Sequence, residues 1–501
     1  MSTPSVTRPE DLHAEPSARP EPPCQPARKR TKLTAPKPRR VDEQEKNALF
    51  RRPNGTPVMS LPNEVLVKIF QLTLPHRLSP GQFRPPFRAE ENSGNRFIII
   101  LSAVCRRWRG VAHSTPRLWS SVVLRVRGSK DIEKKIAFLE QCLRLTDTHP
   151  LSLSLSFSSA RPVVPNVLLD SRVDCLIIRS LPRVEELHLV NPPTAWLSHL
   201  TSLSQLVTCT IDLQHNSHET LLTFSEHAPL QQLAVRQPSQ SKRLVQVRAP
   251  WPNLVTGLTL CDVDIPTGLA ILVQCPNLTF FDLSSRWAKG NEPVTLVAPT
   301  SLPKMEVLVI KAKKCNWIRA VAQYLSFPAL VDLTWVVQGL SSKEPCVQGF
   351  FNRLPDSLTS LHLHHFKPQL FRNGMMIKDL TVTLRNSSEI DTVLLYVWPQ
   401  LRQKGRTVPW EVKPLPSLET LYLNSEEGLS LWIVDDNIIL KFLESLGKVK
   451  NTFFEFRADI PCDPTEASEK TQRRIKALNR KSGFRIELGE EGSIWARIGD
   501  E

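Results

Sequence analysis

The sequence has no Cys-x-x-Cys pair, no apolar run of 18 residues and no apolar segment near its start. Ten cysteines scatter singly from Cys24 to Cys462, which argues against a disulfide scaffold and for reduced, mostly buried thiols in the cytosol or nucleus. The missing apolar runs give no ground to expect secretion or a membrane span. A phosphate-cradling glycine loop, a nucleophile elbow and a His-Glu-x-x-His pair are also lacking, so neither catalysis nor a cofactor is expected. Glycine is scarce, at 18 residues against 42 prolines. What remains is an apolar fraction of 41% over 501 residues, enough for a real core and for two to four domains.

Charge is unevenly spread. Residues 1–60 hold 12 Lys/Arg against 7 Asp/Glu, and residues 61–128 hold 11 against 3. Of the net +15, only +2 is therefore left for residues 129–501, and a nucleic-acid groove along the large domain is not expected. Residues 1–58 are rich in Pro, Ser, Glu and Arg and read as a disordered tail. Within it, Arg28-Lys29-Arg30-Thr31-Lys32 and Lys37-Pro38-Arg39-Arg40 form a split basic cluster, either a nuclear localisation signal or a merely solvated run.

Two helical patterns come next, in a module spanning 59–121. Leu61-Pro62 sets a helix start, because proline is tolerated in the first turn. Leu61, Val65 and Ile69, with Leu66 and Phe70, recur at three- and four-residue spacing. The second pattern runs over 97–113 as one helix, with Ile100, Val104, Trp108 and Val111 on one face. Pro116 and Leu118-Trp119 close the unit. Leu61-Pro62-x-Glu64-Val65-Leu66-x-x-Ile69-Phe70 and Val104-Cys105-Arg106-x-Trp108-Arg109…Pro116-x-Leu118-Trp119 resemble the F-box, the adaptor-binding module of Skp–cullin–F-box ubiquitin ligases. The resemblance implies a Skp-family adaptor and, through it, a cullin. Carried across, the adaptor-facing residues are Leu61, Pro62, Val65, Ile69, Phe70, Val104, Arg106, Trp108 and Trp119. The chain departs from the family in residues 71–96, where Pro75, Pro80, Gly81, Pro85 and Pro86 read as an inserted loop. Read without the resemblance, these are two amphipathic helices of a small helical domain.

A connecting segment, 122–172, holds a strand at 121–126, a helix over 130–146 and a strand in which Leu151, Leu153, Leu155 and Phe157 alternate with serines. Cys142-Leu143…His149-Pro150-Leu151-x-Leu153-x-Leu155 is similar to the segment that comes after the F-box in many proteins of mushroom-forming (basidiomycete) fungi.

From 173 to 436 an imperfect repeat recurs, often led by proline: an apolar residue, two others, apolar, one other, apolar. Copies include Val184-x-x-Leu187-x-Leu189, Leu230-x-x-Leu233-x-Val235, Leu278-x-x-Phe281-x-Leu283, Leu330-x-x-Leu333-x-Trp335 and Leu418-x-x-Leu421-x-Leu423. Leu206-x-x-Cys209-x-Ile211 is a variant, and Leu254-x-x-x-Leu258-x-Leu260 fits with one extra residue. Most steps match the roughly 20–29-residue leucine-rich-repeat period. The widest, from Leu380 to Leu421, leaves room for an eroded copy near Leu394 to Leu401. The expected fold is α/β: a short α-helical F-box module, then an irregular leucine-rich-repeat solenoid with parallel strands on its concave face, where neighbours must stack to bury their apolar sides. The alternative is an α/β domain with chance strands.

Strand alternation then names a surface. If Leu187 and Leu189 point inward, His188 points outward, and the same logic exposes Arg236, Asp282, Thr334, His362 and Tyr422 as target-contacting candidates. Target contacts on the loops or at the C-terminal end are the competing expectation. His362, His364 and His365 lack a carboxylate or cysteine at ligand spacing and read as surface histidines, so no metal is expected. Asp262-Val263-Asp264 reads as turn chemistry, and Cys105 as a packed thiol. Residues 437–501 read as a C-terminal cap. The expected function is a non-catalytic, substrate-recognition subunit of a Skp–cullin–F-box ligase. Two others remain open, a scaffold without ubiquitin transfer and a nuclear, nucleic-acid-associated factor using the tail.

Overall fold

A computed structural model describes residues 61–72, 93–126, 129–157, 171–213, 220–237, 245–249, 255–263, 265–285, 299–312, 318–337, 345–364, 370–372, 375–384, 387–397, 415, 417–425, 442, 444, 454–459, 473–474, 477 and 484–488. The chain divides into residues 1–61 and 62–501, and of the first unit only Leu61 is among the described residues. The basic tail, most of the proline-rich insertion and residues 494–498 lie outside them.

The second unit opens with helices α1 (Asn63–Leu72), α2 (Ser93–Val104), α3 (Arg106–His113) and α4 (Pro116–Trp119). The single helix expected over 97–113 is in fact two. Cys105 is extended (φ −157°, ψ 170°), and its Sγ accepts the Trp108 N–H at 3.4 Å, capping α3. The expected single face divides at this break: Ile100 and Val104 are exposed while Val111 is buried. Leu66, Phe70, Ile98, Leu101, Val111, Ala112 and Leu118 fill the helical core, with Phe70 and Trp108 ring centroids 5.0 Å apart. The expected loop 71–96 is narrower than the sequence suggested, since 71–72 end α1 and 93–96 begin α2.

Among the described residues, fourteen strands then form one sheet, each paired in parallel with its neighbours. In chain order they are β1 (Ser121–Val126), β2 (Leu151–Phe157), β3 (Val184–Val190), β4 (Thr208–Asp212), β6 (Gln232–Arg236), β8 (Gly257–Cys261) and β9 (Phe280–Ser285). They continue as β11 (Val307–Ala312), β13 (Asp332–Val337), β14 (Ser360–His364), β15 (Asp379–Leu384), β16 (Thr420–Ser425), β17 (Phe454–Asp459) and β18 (Phe484–Leu488). Spatial order equals sequence order. The remaining strands, β5 (Thr220–Thr223) with β7 (Val245–Arg248) and β10 (Thr300–Ser301) with β12 (Leu325–Ser326), make two small parallel pairs. Between strands lie α5 (Ser129–Thr146), α6 (Ser171–Ser180), α7 (Thr194–Leu197), α8 (Ile265–Val273), α9 (Ile318–Tyr324), α10 (Pro345–Asn352) and α11 (Ser387–Val397).

The repeat positions are structural slots. Leu187, Cys209, Leu233, Leu258, Phe281, Leu308, Leu333, Leu361, Leu380 and Leu421 stand opposite one another through consecutive strand pairs, and all are buried. Fully burying each such side chain contributes roughly 1.5–3 kcal/mol. The entry to each strand repeats too. The Val207 carbonyl accepts the N–H groups of Gln231 and Gln232, the Gln231 carbonyl those of Thr256 and Gly257, and the double acceptance recurs at Thr256, Thr279, Glu306, Val331, Thr359 and Lys378. Each step therefore satisfies the backbone of the next, which is why a short segment can hold a strand here.

Three expectations change. The slot before Leu258 is filled by buried Val255, so that copy needs no extra residue. In the step from Leu380 to Leu421, β15 pairs directly with β16 and Leu394 lies in α11, while Leu401 lies outside the described residues. The sheet also begins at β1 rather than near 173, and β17 and β18 extend it through the segment read as a cap.

Candidate functional site

Two surfaces carry the candidate residues. On α1 and α2, Val65, Ile69, Leu72, Ile99, Ile100 and Val104 are large apolar side chains left 39–73% exposed. Ten described residues stand out this way, and six of them sit on these two helices. Scattered exposed apolar residues are ordinary, but this concentration on two helices of one module makes them the candidate interaction residues. Exposed Pro62 opens α1, and its carbonyl accepts the N–H groups of Val65 and Leu66 at 3.1 Å.

The module is tied together by polar contacts around that surface. Arg107 donates from Nε and Nη2 to Asn63 Oδ1 at 3.1 and 3.0 Å, joining α3 to the start of α1. Arg109 Nε donates to the Ser102 carbonyl at 2.8 Å, bridging the break at Cys105. Arg106, Arg109 and Arg117 belong to the same module, so the apolar patch lies on a basic background.

Of the nine predicted adaptor-facing residues, Pro62, Val65, Ile69, Val104 and Arg106 are exposed or nearly so, and Leu61 and Trp108 are half-buried. Phe70 and Trp119 are interior instead. Phe70 is fully buried against Trp108, and Trp119 Nε1 donates to the Ala112 carbonyl at 2.8 Å. The Trp119 ring also lies edge-on to His113, with centroids 5.6 Å apart. Sequence reasoning missed Leu72 at the end of α1 and Ile99 and Ile100 on α2, because helical spacing alone does not say which face the core covers.

Residues 58–125 match the family model described as F-box-like. The chain carries an F-box-like domain. The match spans α1 to β1, which include the elements that bear the exposed patch, whereas no curated protein matches the chain.

The second surface is the half-exposed face of the sheet. His188, Thr210, Ala234, Thr259, Asp282, Val309, Thr334, His362, Thr381 and Tyr422 form one continuous register row. Five of the six predicted target-contacting residues (His188, Asp282, Thr334, His362 and Tyr422) share it. Arg236 lies in the adjacent row, where Nη1 donates to buried Asp212 Oδ2 at 3.2 Å.

The row is largely uncharged. Burial holds the His188 imidazole down at about 4. Burial, then Lys311 and then His364, bring His362 to about 4, and its Nε2 lies 3.1 Å from Thr383 Oγ1. Burial raises the Asp282 carboxyl, opposed by the Ser284 hydroxyl, which donates to it at 2.7 Å, and by Lys311. Asp262 has φ 57° directly after β8, in line with its reading as a turn residue. Among the described residues no group of three or more His, Cys, Asp and Glu is placed to hold a metal ion. No helix of the described residues is long and apolar enough to cross a membrane. Burial pushes the Cys142 and Cys275 thiols up to about 12 and Cys261 to about 11, where they stay protonated and unreactive.

Proposed function

We propose that the chain is a substrate-recognition subunit of a Skp–cullin–F-box ubiquitin ligase, of the basidiomycete-fungal type. The observation that carries this reading is the exposed apolar face of α1 and α2 inside the segment matching the F-box-like family. Each of Val65, Ile69, Ile100 and Val104 that an adaptor fully covers contributes roughly 1.5–3 kcal/mol. The adaptor belongs to the Skp family and leads to a cullin. The sheet, in this reading a leucine-rich-repeat solenoid, holds a target protein. Its strand register, repeated entry hydrogen bonds and apolar slots support that description. The chain itself is non-catalytic: it shortens the search between target and ubiquitin-charged enzyme, an orientation effect. It works in the cytoplasm or nucleus.

The test is reconstitution of the full chain with a Skp-family adaptor and a cullin. Adaptor co-purifies in stoichiometric amount with the wild-type chain and is lost from the Leu61→Ala, Pro62→Ala double variant. A double variant that keeps its adaptor, with the wild-type circular dichroism, sinks the assignment.

A further inference from the structure

Charge on the half-exposed face is sorted by position along the strands. The row two residues before the central one carries Glu186, Asp332, Asp379 and Glu455 and meets its first basic residue at Arg485 on β18, and Glu455 is itself paired with Arg457 at 2.7 Å. From β11 to β15 the strand entries add Glu306, and the charge of Lys378 is met by Glu419 at 3.0 Å. Asp332 and Asp379 flank Ser360 on successive strands, and Asp379 is exposed. The chain entering the same strands carries exposed apolar side chains as well: Val331 (40%), next to Asp332, and Met376 (48%), whose Sδ lies 3.5 Å from Ser417 Oγ.

We infer that this margin, over β11 to β15, receives a basic amphipathic helix of the target, with Lys or Arg at positions i and i+7 facing Asp332 and Asp379 and apolar residues meeting Val331 and Met376. This deepens, and rests on, the reading of the sheet as the target-binding part. Charge complementarity sets the sign of the partner. Spacing sets its conformation. Asp332 and Asp379 are two strand positions apart, about 9.6 Å. A helix crossing the strands advances about 5.4 Å per turn, so residues two turns apart fall within about 1 Å of that distance. An extended segment crossing the strands repeats its side chains every ~6.7 Å and falls out of step after one strand.

The experiment is fluorescence anisotropy on the full chain, using a helical peptide of about 15 residues with Lys at i and i+7 and Leu at i+3 and i+4. Versions with Gln or Glu at the two Lys positions are compared, each against the wild type and Asp332→Asn, Asp379→Asn. The Lys peptide binds the wild type at least about tenfold more tightly than the Gln peptide, and the double variant abolishes that difference, a coupling that only facing charges produce. Equal binding of the Lys and Glu peptides, or a Lys-peptide affinity unchanged in the double variant, overturns the proposal. If instead Thr334→Arg with Tyr422→Arg displaces the peptide while the Asp variants do not, the margin is overturned and the target-binding reading of the sheet stands. No binding by any peptide, with adaptor still bound, overturns the margin and leaves the F-box reading untouched.

Discussion

Val65 and Phe70 lie five residues apart on α1 and do opposite things: one is exposed at the candidate docking face, the other closes the core beneath it. Phe70→Ala removes a fully buried ring packed on Trp108 and is expected to cost ~3–5 kcal/mol, read as earlier urea unfolding of the F-box-like domain. The two central histidines make the sheet acid-sensitive. In the unfolded chain each binds a proton near its ordinary value of about 6.5. In the folded chain each does so at about 4. Between those values the unfolded state holds more protons, so stability rises with pH. The His188 and His362 contribution is complete above about pH 6.5 and is lost as pH falls toward 4. The midpoint of thermal unfolding should drop over that window, and less steeply in His188→Gln, His362→Gln. An equal drop in both proteins would contradict the assignment.

Among elements, the strands were legible and the helix break was not. A parallel strand stacked between two others needs apolar residues at the same slots each time, so Leu187, Leu233, Leu308 and Leu421 announced themselves by spacing. Ile100, Val104, Trp108 and Val111 keep helical spacing straight through Cys105, and nothing in that spacing records that Cys105 leaves the helix to cap the next. Trp119 read as the end of the helical motif, and it closes α4 two residues before β1 begins. Cys105→Ala should destabilise the domain by roughly 0.5–1 kcal/mol while Cys105→Ser retains the cap, a difference visible in thermal melts. α8 sits so close to the sheet that a Cβ on Gly268 would lie 2.8 Å from Leu283 Cδ1. Gly268→Val therefore overpacks the layer and should cost ~1–3 kcal/mol by chemical denaturation.

For the whole molecule, strand order equal to chain order links the F-box-like domain to the sheet without a separate connecting unit. α2 and α4 pack on β1, and β1 pairs with β2 as every later strand pairs with its neighbour. The first two strands lack the proline-led repeat, so the pattern alone suggests a boundary near 173. Their apolar slots, Val122 with Leu124 and Leu153 with Leu155, nevertheless match those of later strands. A target held on the sheet would then be carried at a fixed geometry from the adaptor. The central claim is that α1 and α2 present an adaptor-binding face. Its most direct test is calorimetric titration of a Skp-family adaptor into the full chain and into Val65→Asp, Ile69→Asp. One-to-one binding by the wild type and none by the variant is the predicted result, with both proteins melting alike. No binding by the wild type, or equal affinity in the variant, would contradict it.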